Sequence, residues 1–66
     1  MDALLTVKEL ADEWMVGRRE VVRHQLFERC IDAQHACQLF ASIFEAVMNS
    51  YGEEHASQFA KAFAAH

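Results

Sequence analysis

The sequence predicts an all-α protein that assembles as a homodimeric helical bundle, and three observations favour this prediction. Apolar or small residues recur at alternating intervals of four and three over 26 residues, which places one continuous stripe along a helix. The 66 residues include no proline and two glycines, and 53% of them are hydrophobic. A chain this short buries only about 60% of the surface that it exposes when unfolded, so its core often needs a partner chain.

The first helix is predicted at residues 7–16. Thr6 is a favourable N-cap residue, and Glu9 completes the capping box Thr-x-x-Glu. Gly17 is the natural end of this helix because glycine tolerates the backbone conformation that follows a helix. The apolar positions recur at helical spacing: Val7, Leu10, Ala11 and Trp14.

The second helix, predicted at residues 19–50, carries the long stripe. Its members are Leu26, Cys30, Ala33, Cys37, Phe40, Phe44, Val47 and Tyr51. The rest of the chain is too short to cover this stripe, so we expect its first seven residues to form the dimer interface, with the two helices parallel or antiparallel. A second apolar row widens the face, as in a four-helix arrangement: Ala36, Leu39, Ile43 and Ala46.

A third helix is predicted at residues 53–65, after Gly52. Glu53 and Glu54 suit the positive end of its dipole. Its apolar stripe consists of Ala56, Phe59, Ala60 and Phe63. This helix is short enough to fold back over the second one.

Charge and cysteine content limit the classes of function. The net charge of −4 argues against non-specific binding of nucleic acids, which depends on neutralising phosphates. Cys30 and Cys37 are seven residues apart on the predicted long helix, too far to bond to each other, so two reduced core thiols are expected. A disulfide across the dimer is the alternative. The sequence shows neither a signal-peptide pattern nor a membrane span, so a cytoplasmic location without a membrane partner is expected.

The stretch from Leu4 to Leu26 reads LLTVKELADEWMVGRREVVRHQL, about a third of the chain. It resembles the helix-turn-helix of small excisionase-like and MerR-like DNA-binding proteins, which open with a similar Leu-Thr-x-x-Glu-x-Ala run. The resemblance implies that three basic side chains face the DNA groove or its phosphates: Arg18, Arg19 and Arg23. The family's turn has a glycine where this chain has Met15, and Gly17 comes two residues later.

No residue pattern predicts catalysis, a metal or a cofactor. The histidines are scattered, without the spacing of a zinc site, and the serines lack a glycine-flanked elbow. No glycine-rich phosphate loop is present in the sequence. We therefore expect no catalytic, cofactor-binding or metal-binding residues, and the protein is not predicted to be an enzyme.

Aromatic and arginine side chains provide the candidates for partner binding, since these residue types dominate protein-binding hot spots. The predicted partner-binding residues are Trp14, Arg18, Arg19, Arg23, Phe27 and Tyr51. The predicted function is a non-enzymatic regulator or adaptor that binds and blocks a larger protein as a rigid homodimer, as small inhibitors encoded by phages and mobile elements do. The alternative is a dimeric helix-turn-helix protein that binds DNA and regulates transcription or excision.

Overall fold

Four α-helices make up most of the computed structural model, which describes residues 4–30 and 32–64. They are α1 (Val7–Met15), α2 (Arg19–Arg29), α3 (Ala33–Tyr51) and α4 (Glu53–Ala64). The all-α prediction is confirmed for these residues. The predicted order of a short, a long and a short helix is wrong, because the stretch assigned to one helix over 19–50 forms α2 and α3 instead. Two positions of the predicted helices, Ile31 and Ala65, lie outside the described residues.

The separation of α2 from α3 has a local cause at Asp32. Cys30, which ends α2, has extended backbone angles (φ −94°, ψ 108°), and Asp32 is also extended (φ −150°, ψ 179°). The Asp32 carboxylate accepts a hydrogen bond of 2.9 Å from the backbone N–H of His35. Aspartate is favoured as an N-cap because it satisfies an amide that has no partner inside the helix. The 4/3 stripe is therefore divided between two helices.

The other helix boundaries follow capping chemistry. Thr6 and Glu9 form the predicted capping box: the Thr6 hydroxyl accepts from the Glu9 amide at 3.1 Å, and Glu9 accepts from the Thr6 amide at 2.9 Å. Gly17 lies in the turn after α1 with φ +92°, a region that favours glycine. Gly52 ends α3 with φ +103° and ψ 168°, as the sequence predicts for a helix stop.

The core lies around α3, which packs against each of the other three helices. Its fully buried members are Ile43 and Val47, while Leu39 and Phe40 are half-buried beside them. The remaining core residues come from the three other helices: Leu10, Ala11, Trp14, Val22, Leu26, Ala56 and Phe59. One chain thus covers much of the apolar face that was expected to need a second copy.

An aromatic cluster closes the core between α1, α3 and α4. Phe59 is fully buried, with its ring centroid 4.9 Å from that of Trp14, 5.0 Å from that of Phe40 and 5.0 Å from that of Phe63. The Trp14 pair is edge-on and the Phe40 pair is stacked. Such aromatic pairs contribute about 0.5–1.5 kcal/mol each beyond the area that they bury. The C-terminal helix therefore supplies a central part of the core.

Polar contacts tie the segment before α1 to α2. Gln25 is buried, and its side-chain oxygen accepts a hydrogen bond of 2.9 Å from the Leu5 amide. The Arg29 guanidinium donates a hydrogen bond of 2.6 Å to the Leu5 carbonyl. Because the amide and the carbonyl of Leu5 are both held by α2, the segment directly before α1 is fixed against that helix.

Candidate functional site

An apolar groove of about 340 Å³ opens where α2, α3 and α4 meet. α2 contributes Leu26 and Phe27 to its wall, and Cys30 follows directly after that helix. The opposite wall consists of Ala36, Cys37 and Phe40 of α3, together with Phe63 of α4. Every lining residue is apolar or a cysteine, so the groove suits an apolar side chain better than a charged ligand.

Phe27 stands at the edge of this groove and is 74% exposed. It is the most exposed large hydrophobic residue in the described part of the chain, ahead of Val16 at 69% and Leu4 at 65%. Exposed apolar groups occur on all proteins, but a projecting ring beside an apolar hollow is typical of an interaction surface.

The break at Asp32 creates this arrangement. In one continuous helix, Cys30 and Cys37 would lie two turns apart on the same face. With α3 starting anew at Ala33, both cysteines line the same groove as free thiols, Cys30 half-buried and Cys37 exposed.

The three arginines predicted to bind a partner each contact a group of their own chain. Arg18 lies 3.4 Å from the Glu13 carboxylate. The Arg19 guanidinium lies 4.6 Å from the centroid of the Trp14 ring, and that of Arg23 lies 5.9 Å from the centroid of the Phe63 ring. Stacked positions of this kind hold the guanidinium against the surface. Arg23 is therefore placed next to the groove through Phe63.

Two of the predicted partner-binding aromatics lie elsewhere. Trp14 is only 4% exposed and belongs to the core, because α4 folds over it. It therefore cannot form part of an exposed patch. Tyr51 is 39% exposed, but its hydroxyl donates a hydrogen bond of 2.7 Å to Asp12. Of the predicted set, Phe27 and Arg23 are the residues at the groove.

The residues predicted as the dimer interface separate into two groups. Four of them lie together in the groove wall: Leu26, Cys30, Cys37 and Phe40. The other three do not line the groove: Ala33 is exposed, Phe44 is half-buried, and Val47 is fully buried in the core. A continuous seam from Leu26 to Val47 does not exist, because the helix is broken and its last member is enclosed by the same chain.

Comparisons of this chain with protein-family models, curated proteins and solved structures find no match.

Two lining residues were not among the predicted site residues. Ala36 belongs to the second apolar row of α3, and Phe63 to the stripe of the last helix. Both were recognisable as apolar helix positions. Their place in one groove depends on how α3 and α4 pack, which the periodicity of a single helix does not encode.

Hydrogen bonds shift the pKa of a few exposed groups. The hydrogen bond from Tyr51 lowers the pKa of the Asp12 carboxyl below its ordinary value, and the same bond raises the pKa of Tyr51. The backbone amide of His35 lowers the pKa of Asp32. These shifts belong to structural contacts between or within helices.

Two further findings concern residues 4–30 and 32–64. No three His, Cys, Asp or Glu side chains in this part of the chain group together as a metal site would require. None of its helices has both the length and the apolar character needed to cross a membrane.

Proposed function

We propose that this protein is a non-enzymatic regulator or adaptor that acts by binding another polypeptide at the groove between α2 and α3. The observation that carries this proposal is the pairing of an apolar hollow with Phe27 projecting at its edge. A polypeptide laid over this face buries the Phe27 ring and inserts an apolar side chain into the hollow. Both contacts remove apolar surface from water, which is the main favourable term in protein association.

Burial of Phe27 would supply one anchoring contact of such an interface, and the surfaces beside the groove must supply the rest. Full burial of a phenylalanine side chain contributes about 1.5–3 kcal/mol. Aromatic side chains and arginine are the residue types found most often at interface hot spots. Arg23, next to the groove, supplies a charged rim beside the apolar centre, as in other protein interfaces. In this proposal the partner-binding surface is centred on Phe27 and Arg23, with Arg18 and Arg19 at the start of the same helix.

A binding assay with paired variants tests this function. The tagged chain is immobilised and exposed to a cell lysate at moderate salt, in parallel with Phe27→Asp and Val16→Asp. Val16 is the matched control because it is 69% exposed in the turn after α1 and does not line the groove. We expect one stoichiometric protein on the wild type and on Val16→Asp, and its loss on Phe27→Asp. A protein that is retained equally by all three variants contradicts a role for the groove.

DNA binding is a second candidate, because α1 and α2 are joined by a short turn over residues 16–18 that contains Gly17 at φ +92°. A short glycine-containing turn between two helices is the connection that a helix-turn-helix needs. The exposed residues of α2, however, include Glu20 and Glu28 as well as Arg19, and Glu28 directly follows Phe27 in the sequence. The two carboxylates would repel DNA phosphates and so oppose the attraction of the arginines.

A gel-shift experiment distinguishes the two candidates. A DNA-binding protein should retard a duplex at 50 mM salt and lose much of its affinity by about 200 mM, because bound counterions are released. Replacing both Arg18 and Arg19 by alanine should then abolish the shift while the fold is retained. A missing shift at low salt removes the DNA candidate.

A further inference from the structure

We infer that the polypeptide that occupies the groove is a second copy of this chain, in a twofold-symmetric dimer in which Phe27 of each copy enters the groove of the other. This inference rests on the proposed function, because it names the partner of that same surface. The sequence predicted a continuous helical seam between the two copies. In this inference, the contact between the copies is the insertion of Phe27 into the groove instead.

The first argument is self-complementarity. A twofold interface brings the same patch of both copies together, so a projection on that patch must meet a hollow on the same patch. Phe27 and the groove satisfy this condition, because the exposed ring forms part of the groove's own rim. A twofold arrangement that places one ring in the partner's hollow therefore places the second ring in the same way.

The second argument is size and chemistry. An apolar cavity of about 150 Å³ is large enough for a benzene ring. The groove has about 340 Å³, so it is large enough for the Phe27 ring of another copy. The aromatic side chains of Phe40 and Phe63 line the hollow and are available for ring–ring contacts with the incoming side chain.

The third argument is charge. At a twofold axis each side chain lies near its own equivalent, so a patch of one sign repels itself. The whole chain has a net charge of −4, but the residues that line the groove are uncharged. Two charged neighbours of Phe27 on α2, Arg23 and Glu28, have opposite signs. This face is thus suited to a contact between two acidic copies that repel each other elsewhere.

The area that such a dimer needs is modest. A stable interface buries about 800 Å² on each partner, which is about a sixth of the 4660 Å² that this chain exposes. The groove alone does not supply this area. The adjoining exposed surfaces of α2 and of the first half of α3 must join it, and Cys37 and Gln34 then lie inside or next to the interface.

Sedimentation equilibrium of the full chain under reducing conditions tests the inference. We expect wild type and the control Val16→Asp to be dimers at micromolar concentration. We expect Phe27→Asp to be a folded monomer, its fold verified by circular dichroism. Because two rings leave the interface together, the dissociation constant should rise at least about 100-fold.

A second variant changes the groove and leaves the projecting Phe27 ring unchanged. Cys37→Trp fills the groove from its wall and leaves Phe27 in place, so it should also produce a monomer. In the wild-type dimer, Cys37 should react more slowly with a maleimide as the protein concentration rises through the dissociation constant. In Phe27→Asp, the rate of the Cys37 reaction with maleimide should not depend on the protein concentration.

The outcomes separate the two proposals. A wild type that stays monomeric up to about 100 µM overturns the self-dimer, as does a dimer that neither variant weakens. If the chain is monomeric but retains another protein in a Phe27-dependent manner, the proposed function stands and its partner is that protein. If it is monomeric and Phe27→Asp changes nothing in the lysate experiment, both proposals fail.

Discussion

Replacing Asp32 by alanine tests the feature that distinguishes this fold from one long helix. In the structure, the Asp32 carboxylate accepts the His35 amide at 2.9 Å and begins α3. Loss of an N-cap of this kind lowers the folding equilibrium constant by a factor of about five. If residues 19–50 formed one helix, Asp32 would lie in its interior, where alanine is the better helix former, and the same change would raise this constant up to about threefold. The sign of the effect therefore decides between the two structures.

The expected decrease is large enough to measure. For a domain of this size, a fivefold loss in the folding constant lowers the melting temperature by about 4–8 °C. Thermal unfolding is followed by circular dichroism, and the fluorescence of the single Trp14 reports on the core. All variants are compared at one protein concentration, because self-association makes the melting temperature depend on concentration.

Two control variants isolate the cap. Asp32→Asn keeps a capping side chain and should melt within about 2 °C of wild type. Asn49→Ala removes an exposed side chain near the end of α3, far along the helix from Asp32 and outside the groove lining, and should have little effect. An Asp32→Ala variant that melts at a higher temperature than wild type would refute the break between α2 and α3.

Three further changes have defined outcomes. Phe59→Leu should cost at least about 1.5 kcal/mol, because three aromatic neighbours lose their ring contacts, and a urea midpoint equal to that of wild type would contradict this. Gly52→Ala should cost about 1–3 kcal/mol by thermal unfolding, all of it backbone strain at φ +103°, since an added Cβ would meet no atom within 4 Å. Tyr51→Phe should raise the pKa of Asp12 towards 3.8 in an NMR titration. Because a lowered folded-state pKa stabilises the protein above the unfolded pKa and this stability is lost on acidification, the variant should lose less stability than wild type as the pH falls below about 4; an unchanged Asp12 pKa would contradict the contact.

The sequence was sufficient for those features that depend on local chemistry. The Thr6–Glu9 capping box and the stop at Gly52 follow from residue types at fixed offsets, and the structure contains both. The helical character of the described residues likewise follows from composition and spacing. These features do not depend on how the helices pack against one another.

The break in the predicted long helix was missed for a physical reason. Leu26 faces the core from α2, and Phe40 faces the groove from α3, at an interval that one straight helix would also satisfy. Spacing alone does not show that the chain turns between them. The local signal was Asp32, a strong N-cap residue with His35 three positions later, but it lies inside an otherwise regular pattern.

The sequence also did not predict which aromatic side chains are exposed. Trp14 and Phe27 both occur near helix ends, and both were expected on the binding surface. Trp14 is covered because Phe59 and Phe63 arrive on α4 from far along the chain. No segment within residues 4–30 and 32–64 covers Phe27. The difference arises from tertiary packing and decides which of the two rings a partner can reach.

The position of Phe59 in the last helix has a consequence for synthesis on the ribosome. At about 5–20 residues per second, Phe59 is made about 2–9 s after Trp14, and during this interval the Trp14 ring lacks this partner. A nascent chain that stops before Phe59 leaves the rings of Trp14 and Phe40 without this partner, in reach of chaperones and proteases. Covering this part of the core therefore has to wait for α4, and copies cut short before it expose the apolar side chains that it packs against.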